Sequence, residues 1–138
     1  MAKLMLDTNV LVYAASAEPA DRLRHLAAVD LVRTGQFVLC AEALQECYDV
    51  VTRGKAPAMT PVEALTWVEQ WEVFCTVDLS AETVKAGAEI AARYKLRYWD
   101  GAMLAAAHQA GAETFVSEDL NHGQTYGSVR VENPFLNA

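Results

Sequence analysis

The chain is expected to fold as one α/β domain, with a short parallel sheet of four or five strands flanked by helices in three layers. Three observations predict this. Short apolar runs of strand length alternate with longer stretches whose apolar residues recur at helical spacing. Alternation of that kind produces a parallel sheet with right-handed crossovers. The length of 138 residues suits a single domain, 1–138, with one sizeable core, and neither an internal repeat nor a linker interrupts it.

The elements follow in order. Leu4-Met5-Leu6 reads as a buried opening strand, Asp7 ends it, and Thr8-Asn9 begin the turn into a helix. Glu18-Pro19 introduces the next helix. There Leu23, Leu26, Ala27 and Leu31 form an apolar stripe, His25 lies opposite it as a solvated residue, and Gly35 ends the helix after Thr34. Phe37 to Cys40 is the second strand, and a helix from about Ala41 to Arg53 leaves it. In that helix Ala43, Leu44, Cys47, Tyr48, Val50 and Val51 mark the core face; Glu46 stands on its flank and Glu42 reads as a surface acid. Thr60-Pro61-Val62-Glu63 is a capping sequence for a helix that runs to Trp71, with Trp67 and Trp71 on one face. Val73 to Val77 is the third strand, and a helix from Ser80 to Tyr94 follows. Asp100 opens an alanine-rich helix, Gly101 to Ala110, which Gly111 terminates. Thr114-Phe115-Val116 is the fourth strand, with Ser117-Glu118-Asp119 at its end, and Arg130-Val131 fits a short last strand.

Composition narrows the function. Hydrophobic content of 53% with 21% charged residues is that of an ordinary globular protein. No apolar run approaches the roughly 20 residues that span a bilayer, and no signal peptide opens the chain, so a cytoplasmic protein without membrane association is expected. Cys40, Cys47 and Cys75 are odd in number, lie among apolar residues and lack metal-ligand spacing, which predicts buried thiols. A net charge of −7 argues against a general electrostatic nucleic-acid binder and leaves acids in excess.

Four of those acids fall where chemistry is done. In open parallel sheets, ligands collect beyond the carboxyl ends of the strands. Asp7 and Asp119 end two strands, and Glu46 sits on a helix leaving that edge. Asp100 joins them if its helix starts at the same edge. Gathered carboxylates raise one another's pKa unless a cation is shared. A hard divalent ion such as Mg²⁺ takes oxygen ligands, polarises a phosphodiester and acidifies a bound water. Metal-dependent phosphodiester hydrolysis is the chemistry that fits.

With these residues in view, the chain resembles the PIN-domain ribonucleases, specifically the toxins of VapBC toxin–antitoxin pairs. The resemblance rests on Leu6-Asp7-Thr8-Asn9-Val10-Leu11, Leu44-Gln45-Glu46, Tyr98-Trp99-Asp100-Gly101, Ser117-Glu118-Asp119-Leu120 and the closing Val131-Glu132-Asn133-Pro134-Phe135, and it spans essentially the whole chain. It implies a Rossmann-like sheet, a Mg²⁺ or Mn²⁺ site, RNA as substrate and an antitoxin protein as partner. Asp7, Glu46, Asp100 and Asp119 would be the catalytic and metal-binding quartet. Asn9 would hydrogen-bond within the site, Ser117 would support Asp119, and Glu118 would be secondary. Gly101 stands where alanine is commoner, a departure expected to weaken that helix start slightly.

Other chemistries are poorly matched. An aspartyl-nucleophile hydrolase usually has a second Asp where Asn9 stands, and no G-x-S-x-G surrounds Ser16, Ser80, Ser117 or Ser128. His122 reads as a turn residue. The alternative from a different class is a non-catalytic PIN-fold association module with structural acids. For an acidic protein acting on RNA, local charge matters more than the total. Arg53 and Lys55 follow the Glu46 helix and Arg97 precedes Asp100, which makes them candidate phosphate contacts; Tyr98 and Trp99 offer faces for base stacking. Trp67 and Trp71 are core aromatics or, in the second reading, anchors for an antitoxin or a homodimer.

Overall fold

The structure is a computed structural model, and it describes residues 3–138. Strand β1 (Leu4–Leu6) lies at the centre. On one side it pairs in parallel with β2 (Phe37–Cys40), which pairs in turn with β3 (Cys75–Val77). On the other side it pairs in parallel with β4 (Thr114–Val116), which pairs with β6 (Val129–Glu132). The two-residue β5 (Thr125–Tyr126) closes the edge antiparallel to β6. The sheet therefore has six strands in the order β3-β2-β1-β4-β6-β5. The excess over the four or five expected is β5, a strand too short to leave a sequence pattern, joined to β6 by a turn in which Gly127 takes φ +62°. The register places Met5 between Val38 and Phe115, and the side chains of Met5, Leu6, Leu39, Phe115 and Val116 are buried.

Helices α1 (Thr8–Ala15), α2 (Arg22–Arg33), α3 (Ala41–Thr52) and α4 (Pro61–Trp71) pack in succession, α2 and α3 on α1 and α4 on α3. Helices α5 (Ala81–Tyr94) and α6 (Tyr98–Gln109) form a tight pair, and α6 lies on β2, β4 and β6. The predicted caps are present: Thr60 and Glu63 make a capping box at α4, Ser80 caps α5, and Gly35 and Gly111 follow their helices with positive φ.

Four expectations change. The stripe on α2 is only half covered, with Ala27 and Leu31 packed on the core. Leu23 and Leu26 are 63% and 45% exposed, whereas Ala28 is fully buried and His25 turns inward, a ring nitrogen 2.9 Å from the Tyr13 carbonyl oxygen. Glu42 is a buried residue and not a surface acid. Helix α6 starts at Tyr98, so Asp100 lies inside its first turn. Trp71 is buried, and half-buried Trp67 stacks on it at 5.5 Å between ring centroids, so Trp71 is a core aromatic and not an interface anchor. Cys40 and Cys47 are buried and Cys75 half-buried, all free, and burial pushes the first two thiols up to about 12 and about 11. No helix among the described residues is long and apolar enough to cross a membrane.

Candidate active site

The chain runs outward from β1 through β2 to β3 and then crosses back to β4 on the other side of β1. The carboxyl ends of β1 and β4 thus form the switch point where open α/β sheets leave a crevice. Asp7 enters it because the Asp7 N–H still donates to the Val116 carbonyl at 2.9 Å, holding the residue at the sheet edge. It is the N-cap of α1 as well, its Oδ1 accepting from the Thr8 N–H at 2.7 Å. A cap alone is a structural role. The other oxygen has a second set of partners, with Oδ2 accepting from the Ser117 hydroxyl at 2.6 Å and from the Asn9 amide at 3.3 Å.

Ser117 follows β4 and is fully buried. Its single proton goes to Asp7, which leaves its oxygen to accept from the Asp119 N–H at 3.0 Å. The Asn9 amide nitrogen also reaches Asp119 Oδ2 at 3.2 Å. Asn9 therefore joins the carboxylates of Asp7 and Asp119, and Ser117 joins the Asp7 carboxylate to the Asp119 backbone. Glu118 points elsewhere, accepting from the Tyr13 hydroxyl at 3.2 Å and lying 3.9 Å from Arg24 Nε.

Glu46 and Asp100 approach this pair from α3 and α6. Burial holds the Asp7 carboxyl up at about 7; Ser117 and Thr8 oppose the shift, and Asp119 and Glu46 add to it. The Glu46 carboxyl is also raised, first by partial desolvation although the residue as a whole is exposed, then by Asp119 and Asp100, while Arg97 and Arg53 work against it. Asp100 thus lies within electrostatic reach of Glu46, as a helix start at the same edge requires. Glu42, raised by burial and then by Glu46, adds a fifth acid. Among the described residues, no three His, Cys, Asp or Glu side chains stand close enough as they are to hold one ion. The crevice converges its acids without closing them around a centre.

Two orphaned atoms lie in the same place. Thr8 Oγ1 and Asn9 Oδ1 are buried without a hydrogen-bond partner, and both residues line a cavity of about 360 Å³ with Glu46 and Asp119. Buried polar atoms without partners are uncommon and mark an absent water, ion or ligand. With four carboxylates they make an all-oxygen donor set, which suits a hard divalent cation. Thr8 had no sequence signal beyond adjacency to Asp7.

The candidate phosphate contacts divide. Arg53 and Arg97 line one groove of about 640 Å³ with Gln45, Glu46, Asp49 and Trp99. Lys55 is exposed in the loop after α3, outside the lining of that groove. Arg97 Nε lies 3.6 Å from Asp100 Oδ2. His122 Nδ1 accepts from the Asn133 N–H at 3.0 Å, which makes it a turn residue.

A family model described as PIN domain matches residues 4–127. Solved structures similar to this chain include DNA-bound VapBC from Salmonella typhimurium, 21% identical, covering 97% of this chain and 99% of that one with a TM-score of 0.65. FitAcB from Neisseria gonorrhoeae is 18% identical over 96% of this chain and 99% of that one, also at 0.65. VapC20 from Mycobacterium tuberculosis, a toxin that cleaves the sarcin–ricin loop, is 15% identical over 81% and 86%, again at 0.65. At such identities the likeness establishes a shared fold. No curated protein matches the chain.

Proposed function

The chain belongs to the PIN-domain family, and from that premise we propose that it is a divalent-metal-dependent ribonuclease, the toxin of a toxin–antitoxin pair. The observation that carries the reading is the bridge at the switch point, where Asn9 ties the carboxylates of Asp7 and Asp119 together and Ser117 ties the Asp7 carboxylate to the Asp119 backbone, beside two orphaned buried oxygens. In this reading Asp7, Glu46, Asp100 and Asp119 hold Mg²⁺ or Mn²⁺. The bound ion supplies Lewis acidity toward the phosphodiester and a more acidic water. Ser117 orients Asp7 through Oδ2, and Asn9 keeps Asp7 and Asp119 on one side of the crevice. Arg53, Arg97 and Lys55 bind RNA phosphates. The antitoxin partner rests on the fold shared with VapBC and FitAcB, and the exposed Leu23 and Leu26 offer it an apolar face. A homodimer belongs to the same proposal, and so does a cytoplasmic location.

The test is incubation of total RNA with the protein, with and without Mg²⁺, beside an Asp7→Asn control. Metal-dependent cleavage absent from the control supports the reading. Intact RNA under all conditions would favour the second reading, a non-catalytic association module, to which the open spacing of the acids lends its support.

A further inference from the structure

The groove beside the acids contains more than the bridge requires. Gln45, Glu46, Asp49 and Arg53 form one face of α3, and Arg97 and Trp99 face them from the start of α6. Trp99 is 61% exposed although it immediately precedes Asp100. An indole so exposed contributes little to the core. Its ring is nevertheless set, since Tyr98 meets it edge-on at 5.1 Å with the planes 73° apart. The two arginines are only loosely engaged. Arg53 lies 3.5 Å from Asp49 and Arg97 3.6 Å from Asp100, and the arginine side chains are 65% and 75% exposed. The solvated Arg53–Asp49 pair contributes little and exchanges readily for a phosphate, and in the other pair the arginine end lies open to solvent. Gln45 and Asp49 are exposed on the same wall and take no part in the hydrogen bonds around Asp7.

We propose that this groove is a nucleotide subsite for single-stranded RNA, in which one base stacks on Trp99, Arg53 and Arg97 hold the adjoining phosphates, and Gln45 and Asp49 meet the edge of the base. The proposal rests on the nuclease reading and extends it from the cleaved bond to the neighbouring nucleotide. A flat aromatic face between cations is what an unstacked base with its phosphates requires, and sequence-specific RNA recognition works on unstacked bases. Asp49 is an acceptor, so it favours bases whose edge presents N–H donors, and it discriminates where a bare stacking platform would not. Duplex RNA, with its bases stacked and paired, cannot enter in this way.

The test uses the full chain carrying Asp7→Asn, Ca²⁺ in place of Mg²⁺, and a single-stranded oligoribonucleotide containing 2-aminopurine. Stacking on the indole should quench the 2-aminopurine fluorescence. Adding Trp99→Ala should abolish the quench and weaken binding by about 5- to 150-fold, the equivalent of one base–aromatic stack. Trp99→Phe should restore most of both. In the otherwise wild-type chain, Asp49→Asn should shift the nucleotide preferred at the cleavage site. An oligonucleotide bound with unquenched 2-aminopurine and with equal affinity in the Trp99→Ala protein would overturn the subsite, as would capture of the groove by a second protein copy that excludes RNA. An unchanged cleavage preference in Asp49→Asn would overturn the role of the base edge. Failure of the nuclease reading shows separately, as wild-type protein without metal-dependent cleavage, because the fluorescence measurement needs no cleavage.

Discussion

Replacing Asp7 by Asn should change the stability of the metal-free protein with a sign that depends on pH. Burial raises the Asp7 carboxyl from 3.8 to about 7. Between those values the folded chain binds more protons than the unfolded one, so stability falls as pH rises through the window. Charging the buried carboxyl costs on the order of 4 kcal/mol by about pH 8 and under about 1 kcal/mol near pH 4. Asn carries no charge at either pH. Relative to the neutral carboxyl, it turns an amide toward that of Asn9 and disturbs the bond from the Ser117 hydroxyl, which together cost about 1–2 kcal/mol. The variant should therefore be about 2–3 kcal/mol more stable than wild type near pH 8 and about 1 kcal/mol less stable near pH 4. For a chain of this size that is a Tm about 6–12 °C higher at alkaline pH and about 3 °C lower at acid pH. Thermal unfolding followed by circular dichroism in EDTA, across this pH range, checks it. Two Tm curves that never cross, with the variant weaker by a constant amount at every pH, would show that Asp7 carries no buried charge and would refute the argument.

The other predictions follow from the same geometry. Saturating Mg²⁺ near neutral pH should raise the Tm of the wild type and raise that of Asp7→Asn less, because the ion binds the folded crevice through its carboxylates; equal shifts in both proteins would place the ion elsewhere. Glu46→Gln, Asp100→Asn and Asp119→Asn should each reduce RNA cleavage by at least about 100-fold, and a fully active variant would remove that residue from the quartet. Gly101→Ala should cost roughly 2 kcal/mol or more in a denaturant melt, since a Cβ there would lie 2.5 Å from the Gly87 carbonyl oxygen and 2.8 Å from the Ala91 nitrogen; a neutral result would mean that α5 and α6 separate easily. Removing Arg97 or Lys55 should each flatten the slope of log affinity against log salt by about 0.7 for single-stranded RNA, and unchanged slopes would move the RNA path away from both.

The elements whose burial is two-sided were legible in the sequence. Leu4–Leu6 and Phe37–Cys40 are unbroken apolar runs, and Thr114–Val116 is one apart from its first residue, because helices cover the sheet; Asp7 and Asp119 follow the ends of the first and the last of them. Asn9 and Ser117 were legible only through the resemblance to the family, which names them beside Asp7 and Asp119. What the sequence hid is decided by which neighbour an element meets. On α2 the leucines outweigh Ala28 in hydrophobicity, yet the side set against α1 carries Ala28, His25 and Arg24, the last stacking its guanidinium over the Tyr13 ring at 5.6 Å. Glu42 and Glu46 occupy one flank of α3, and periodicity does not tell which of them the first turn will cover. Helix α6 begins three residues before Gly101, at Tyr98, after Arg97 in extended backbone, whereas the sequence marked only Asp100 as its opening.

Gly101 shows how a departure from the family pattern is absorbed. In an isolated helix it only weakens the first turn. Here it lets α5 approach so closely that Gly87 and Ala91 occupy the space a side chain would need, and a Cβ on Gly87 would in turn lie 2.8 Å from the Ala102 Cα. The turn carrying Asp100 is thereby held by backbone packing, a constraint that works in place of the hydrogen bonds fixing Asp7 and Asp119. Glu46 has neither. It is exposed, accepts no hydrogen bond among the described residues, and feels Asp119 and Asp100 more than the groove's Arg97 and Arg53. Asp7, Asp119 and the turn carrying Asp100 are therefore held by the fold, whereas Glu46 is left to a side chain free to rotate. Under the proposed function, the rearrangement on cation binding would fall to α3, the same helix that forms one wall of the groove beside Trp99.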